Sequence, residues 1–218
     1  MKRRVPVLFV GAVFTACQAG APALPPLPDG NGAGVVMCDR AAPAGAQTWS
    51  RPQWRKGDRF AYVRGGVVPA ALEVANATDT HYAFGVGNGV ELRRDLDLGN
   101  LGEWGPDGEP LHVLSPVDVR YHWPLWVGKR WSCEFVDRMR GGEGIALRVD
   151  YAVEDLDVVT VPAGTFQALR ITRSARRTDS DKFLPRWQVA WYSPELGTEV
   201  RYQNGDTLVE LVERPAQH

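Results

Sequence analysis

His81, His112 and His122, three closely spaced aspartate pairs and three cysteines are the residues of this 218-residue chain best suited to chemistry. Imidazoles can ligate zinc or act as general bases. These three stand singly, without an H-E-x-x-H spacing, and a strand-borne histidine with one satisfied hydrogen bond is the commoner use of such a residue. Asp95-Leu96-Asp97, Asp155-Leu156-Asp157 and Asp179-Ser180-Asp181 could offer oxygens to Ca²⁺, yet the same pattern at strand ends makes turns and solvated edges. Arg170, Arg173, Arg176 and Arg177, set against Asp179 and Asp181, read as a solvated charged face rather than an anion site. No G-x-S-x-G elbow, no cysteine pair at metal spacing and no phosphate-cradling glycine motif occurs. The sequence therefore names no catalytic residue, no metal site and no cofactor.

Composition bounds the rest. With 44% hydrophobic and 23% charged residues, the chain can close one core and present a wet surface. Eight tryptophans, 23 glycines and 16 prolines suit a turn-rich β protein with a large aromatic payload. Without Lys2, Arg3 and Arg4, the formal charge goes from −1 (25 Lys and Arg against 26 Asp and Glu) to −4 (22 against 26). Nucleic acid is thereby disfavoured as a partner, because phosphate binding needs a concentrated basic surface.

The amino terminus is more specific. Lys2-Arg3-Arg4 precedes an apolar run of 12 residues, Val5 to Ala16. That run is too short to span a ~30 Å hydrocarbon layer as a helix and reads as a signal peptide over residues 1–16. Phe14-Thr15-Ala16-Cys17 resembles the lipobox of bacterial lipoproteins, with Phe14 where leucine is usual. The resemblance implies diacylglyceryl modification of Cys17, cleavage before it and acylation of the new amino group, so several acyl chains would fix the protein to a membrane. The other reading is an ordinary secretory signal with Cys17 incidental. Gln18 is not the aspartate that, in lipoproteins of enteric type, signals retention in the inner membrane. The expected location is the outer membrane, facing the periplasm. Residues 17–48 are rich in Ala, Gly and Pro and read as a tether.

With Cys17 lipidated, Cys38 and Cys133 are the remaining thiols of a chain exported to an oxidising compartment, and a Cys38–Cys133 disulfide is expected, with two free thiols as the alternative. Residues 49–215 read as a single antiparallel β domain. Lys56-Gly57-Asp58-Arg59-Phe60 is echoed at Val127-Gly128-Lys129-Arg130-Trp131, aligning Gly57 with Gly128 and Phe60 with Trp131. Trp131, Cys133 and Phe135 alternate onto one face, as do Ile145, Leu147, Val149, Tyr151 and Val153. Asn204-Gly205 predicts a hairpin with Tyr202 opposite Thr207, and with Glu199, Arg201 and Glu210 facing solvent. Residues 95–110 read as a long loop. No amphipathic helix longer than two turns is expected.

V-x-V-P-A-G-T-F-x-A-L-R-I at residues 159–171 and W-Y-S-P-E-L-G at 191–197 resemble a signature of bacterial envelope proteins, many of them lipoproteins, in a domain family of unknown function. Pro124-Leu125, Gly128 and Trp131 fit a P-L-x-x-G-x-x-W phrase of the same family. The resemblance covers residues 120–203 and implies a mainly β fold, a curved antiparallel sheet or half-barrel, loosely like the carriers that move lipoproteins across the periplasm. It carries over no catalytic residue.

Two functional readings follow. In the first, the protein is a non-enzymatic binding or scaffold module in which Trp123, Trp126, Trp131, Trp187 and Trp191 line a cleft for a hydrophobic ligand, a glycan or an envelope protein. Filling the core is the plainer use of each indole. In the second, it is a hydrolase of envelope polymers with His and Asp residues in an unrecognised site.

Overall fold

The computed structural model describes residues 35–37, 41–67, 71–180, 183–184 and 187–213; for 35–37, 183–184 and 187–188 it describes the backbone alone. The signal peptide, Cys17 and Cys38 lie outside the described residues.

Among the described residues every regular element is a strand: β1 (Val35–Met37), β2 (Arg59–Arg64), β3 (Leu72–Ala77), β4 (His81–Gly85), β5 (Glu91–Asp95), β6 (Asn100–Trp104), β7 (Pro110–Asp118), β8 (Arg130–Met139), β9 (Ile145–Val161), β10 (Gly164–Arg177), β11 (Phe183–Leu184), β12 (Trp187–Ser193), β13 (Thr198–Asn204) and β14 (Thr207–Glu213). Apart from the short additions β1 on β8 and β11 on β10, each strand pairs antiparallel with its neighbours in sequence, and β14 pairs with β2. The mainly β, barrel-like expectation holds, and the sheet goes further than a half-barrel by closing into a twelve-stranded up-and-down barrel.

The expected alternations set the inside of this barrel. Trp131, Cys133 and Phe135 of β8, and Leu147, Val149, Tyr151 and Val153 of β9, are all buried. Ile145, at the strand's start, is exposed. The outward faces carry ion pairs instead: Glu134–Arg148–Asp150, Arg170 with Asp155 and Asp157, and Arg201–Glu210. Such a wall is suited to water, the reverse of the apolar outer band of a membrane barrel. Among the described residues no helix is long and apolar enough to cross a membrane.

The Gly57/Gly128 echo is structural. Both glycines have φ of 94°. Gly57 N–H donates to Val74 and Val74 N–H to Asp58, while Gly128 N–H donates to Val153 and Val153 N–H to Lys129, at 2.7–2.9 Å. Each turn opens a six-stranded meander, β2–β7 in one case and β8–β10 with β12–β14 in the other.

Three expectations are corrected. Residues 95–110 are no long loop, because β6 lies within them, hidden by Gly102 and the flanking Gly99 and Gly105. In the last hairpin the loop residues are Gly205, at φ 58°, and Asp206. Asn204 stays in the strand opposite Thr207, so Tyr202 faces Val209. Third, Arg173 and Glu199, read as solvent-facing, are buried. In both strands the inward phase changes part-way along. Along β10 the buried positions change phase, from Phe166 and Ala168 to Leu169, Ile171, Arg173 and Ala175, beside a bulge that leaves Glu154 of β9 as the extra residue. Between β12 and β13, Trp191 pairs with Arg201 but Tyr192 with Glu199, leaving Val200 as the extra residue and re-aiming Glu199 to the inside.

Candidate functional site: a charged cavity inside the barrel

An eight-stranded barrel is just filled by its side chains, so a twelve-stranded one has interior to spare. One end is covered. Trp49 forms a bridge with Leu125, and the Trp54 indole packs on Phe60, Tyr82 and Phe84 and donates to the Gly197 carbonyl. Beside it, Tyr121 stacks on Trp123, and both meet Tyr192. Above this aromatic floor is a cavity of about 360 Å³, at the low end of the ~300–1,000 Å³ usual for ligand sites. Its exposed lining residues, Glu103 and Asn204, stand at the opposite end, near the turns that follow β6 and β13.

Two buried carboxylates organise its walls. Glu199 Oε1 accepts from Tyr121 Oη at 2.6 Å and pairs with Arg120 Nη2 at 3.0 Å; Arg94 Nη1 is 3.9 Å from Oε2. Tyr62 Oη meets Thr198 Oγ1 at 2.9 Å and donates to the Glu199 carbonyl at 3.0 Å. Burial alone would favour the neutral acid, but the Arg120 and Arg94 guanidiniums, with the Tyr121 hydroxyl, hold the Glu199 carboxyl down at about 2. Asp118 is the second centre. It accepts from Tyr151 Oη at 2.6 Å and from Arg173 Nη2 at 3.4 Å, while Arg173 Nε donates to Tyr151 Oη at 3.1 Å. Burial, and then the charges of Glu199 and Asp118, push the Tyr121 and Tyr151 hydroxyls well above their ordinary range, so both act as fixed donors.

Among the described residues the cavity-facing cations number three, Arg94, Arg120 and Arg173, against two buried carboxylates, Glu199 and Asp118, with Glu103 at the exposed end. Leu72, Leu92 and Leu114 supply an apolar wall, and Asn100, Asn204 and Tyr202 polar points. The arrangement can hold an organic molecule with a charged end; among the described lining residues none is placed as a nucleophile beside a base.

The residues singled out from sequence are dispersed. Trp131 is buried, stacked on Tyr151 at 5.1 Å, with Nε1 donating to the Val119 carbonyl. Trp126 is buried beneath the Lys129 ammonium. Trp123 belongs to the floor and donates to the Asp97 carbonyl. Trp191 lies on the outer wall, bonded to Asp157 under Arg201, whereas its neighbours Ala190 and Tyr192 point inward. The Trp187 side chain lies outside those described. None of the four described indoles lines this cavity, which is walled by arginines and tyrosines that alternation did not disclose.

His112 Nε2 meets Asp137 at 2.7 Å, as a base meets its orienting carboxylate, but among the described residues no hydroxyl or thiol is bonded to its ring. His81 Nδ1 is engaged by Thr78 and Thr80. The His122 carbonyl accepts from Lys129 Nζ. No group of three or more His, Cys, Asp or Glu among the described residues could hold a metal ion. Asp95 forms a turn by accepting from Gly99 N–H at 2.7 Å. Cys133 is a buried free thiol, 3.8 Å from Asp118 Oδ1, and burial followed by that charge pushes its pKa well up. Its expected partner, Cys38, lies outside the described residues.

Fold and site together define a closed up-and-down β-barrel with a water-suited wall, an aromatic floor and a charged interior cavity. No family model and no curated protein matches the chain. Among solved structures it is similar to the hypothetical lipoprotein YmcC of Escherichia coli, at 12% identity and a TM-score of 0.49 over 78% of this chain and 91% of that one. It is also similar to a chain named as a lipoprotein from Parabacteroides distasonis, at 11% identity and a TM-score of 0.40 over 76% and 98%. A third likeness is to a chain from Bacteroides fragilis named as an exported protein with a YmcC-like fold, at 11% and 0.39 over 78% and 100%. Identities this low carry no residue role across, and the site is read from this chain's own side chains.

Proposed function

We propose that the protein is an exported lipoprotein, acylated at Cys17 and held on the outer membrane facing the periplasm, whose barrel is a non-enzymatic binding module for a small hydrophobic or amphipathic ligand of the cell envelope. The anchor is supported by the basic segment, the apolar run and the lipobox-like Phe14-Thr15-Ala16-Cys17. The binding role rests on one observation, the cavity of about 360 Å³ retained inside a closed barrel. A core built only for stability would fill that space, since a void forfeits packing energy.

Two measurements test the two parts. Cell fractionation should find the protein with the outer membrane and Cys17→Ser in the soluble periplasmic fraction; an unchanged distribution would remove the anchor. For the cavity, Leu92→Trp places an indole against its apolar wall. A panel of envelope lipids and short amphiphiles should raise the Tm of the wild type and not of this variant; a panel without effect on either would remove the binding role.

A further inference from the structure

Arg94 is the least paired of the buried charges. It is nine-tenths buried, its guanidinium lies 5.6 Å from the Trp54 ring and 5.8 Å from the Phe84 ring, and its Nε has no hydrogen-bond partner. The nearest carboxylate oxygen, Glu199 Oε2, is 3.9 Å from Nη1, beyond hydrogen-bond reach, and Glu199 is already committed to Arg120 and Tyr121. Among the described residues Arg94 makes no side-chain hydrogen bond. A buried guanidinium nitrogen without an acceptor is costly, and an oxyanion that takes up the unused donors of the group relieves that cost.

We propose that the cavity binds a small monocarboxylate with a short apolar chain, its carboxylate accepting from Arg94 and its chain against Leu72, Leu92 and Leu114. This rests on the binding role proposed above. A fork of donors on one planar group suits a carboxylate, which accepts two parallel hydrogen bonds. Charge selects the same class: three guanidiniums against two buried carboxylates leave one positive charge, which a monoanion neutralises. A phosphate monoester, near −2 at neutral pH, would over-neutralise it and face Glu199 and Asp118. Glu103 stands at the exposed mouth, where water screens it. Size fits a short chain: about 360 Å³ is the room of roughly a dozen waters at ~30 Å³ each.

Calorimetry on the full chain, purified from cells, with hexanoate, hexan-1-ol and hexyl phosphate tests this. Hexanoate should bind saturably and more tightly than the other two, and Arg94→Gln should weaken it on the order of tenfold or more while leaving hexan-1-ol unaffected. Tighter binding of hexan-1-ol or hexyl phosphate would overturn the monocarboxylate and leave the binding role standing; no binding of any probe would overturn both. Hexanoate binding unchanged by Arg94→Gln would overturn the role of Arg94. Should that variant not fold, Arg94→Lys keeps the charge and gives up the planar fork, and equal hexanoate affinity there would overturn the proposal too.

Discussion

Tyr121 donates its hydroxyl to Glu199 Oε1 at 2.6 Å, tying the segment after β7 to the bulged strand β13 across 78 residues of sequence. Both groups are buried, so removing the donor leaves a charged acceptor short of a partner in a place water does not easily reach. Tyr121→Phe should lower stability by about 1–3 kcal/mol at pH 7. The shift of a urea unfolding midpoint, at unchanged m, measures it.

Glu199 makes stability depend on acid. Burial opposes its charge, yet Arg120, Arg94 and the Tyr121 hydroxyl bring its folded pKa to about 2, below the ~4.3 of a free glutamate. A depressed carboxyl contributes stability that is fully present above the unfolded value and is lost as pH falls towards the folded one. Glu199→Gln, which cannot titrate, should therefore melt below the wild type at pH 7, and the gap should narrow from about pH 4.3 downward. Melting curves between pH 7 and pH 3 would show it; a gap independent of pH would mean that Glu199 is not ionised in the fold.

The phase of each strand explains which parts of the molecule were legible. Strict alternation from Leu147 to Val153 named the inner face of β9, and the Gly57/Gly128 echo named the turns that open the two meanders, because both are local patterns with a fixed backbone consequence. Arg173 was assigned to solvent by its charge and its charged neighbours, and Glu199 by period-2 counting, which does not know where a strand gains a residue. Closure itself rests on β14 meeting β2, a pairing that no stretch of sequence marks. The cavity follows from that closure, and so was not visible beforehand.

The tryptophans divide by wall. Trp131, 1% exposed, stacks on Tyr151 and bonds the Val119 carbonyl, so Trp131→Ala should cost about 3–5 kcal/mol. Trp191, on the outer wall with its bond to Asp157, should cost only about 1 kcal/mol as Ala. Paired denaturation curves give the comparison. Equal losses would place Trp191 in the core.

Cys133 tests burial through reactivity. Its thiol is enclosed, and burial with the Asp118 charge disfavours the thiolate, which is the reacting species. A thiol reagent at pH 8 should leave it unlabelled in the native protein and label it once urea unfolds the chain. If unfolding alone does not suffice and reductant is also required, the Cys38–Cys133 bridge expected from the sequence accounts for the protection.

Gly102 tests the strand concealed in the glycine-rich stretch. At φ 124° it sits where L side chains rarely go, and a Cβ built there would lie 2.1 Å from the His112 carbonyl oxygen on β7. The obstruction is backbone, so it cannot be relieved by a rotamer change. Either β6 and β7 part locally or the strand gives up its register, and Gly102→Ala should cost about 1–3 kcal/mol or more. Gly85 on β4 provides the control, since it has an ordinary φ and open space where a Cβ would be. Gly85→Ala should be neutral or slightly stabilising, because alanine narrows the unfolded ensemble without straining the fold. Hydrogen exchange would locate the damage: faster exchange confined to β5–β7 in Gly102→Ala fits this account, and uniform protection across the barrel would contradict it.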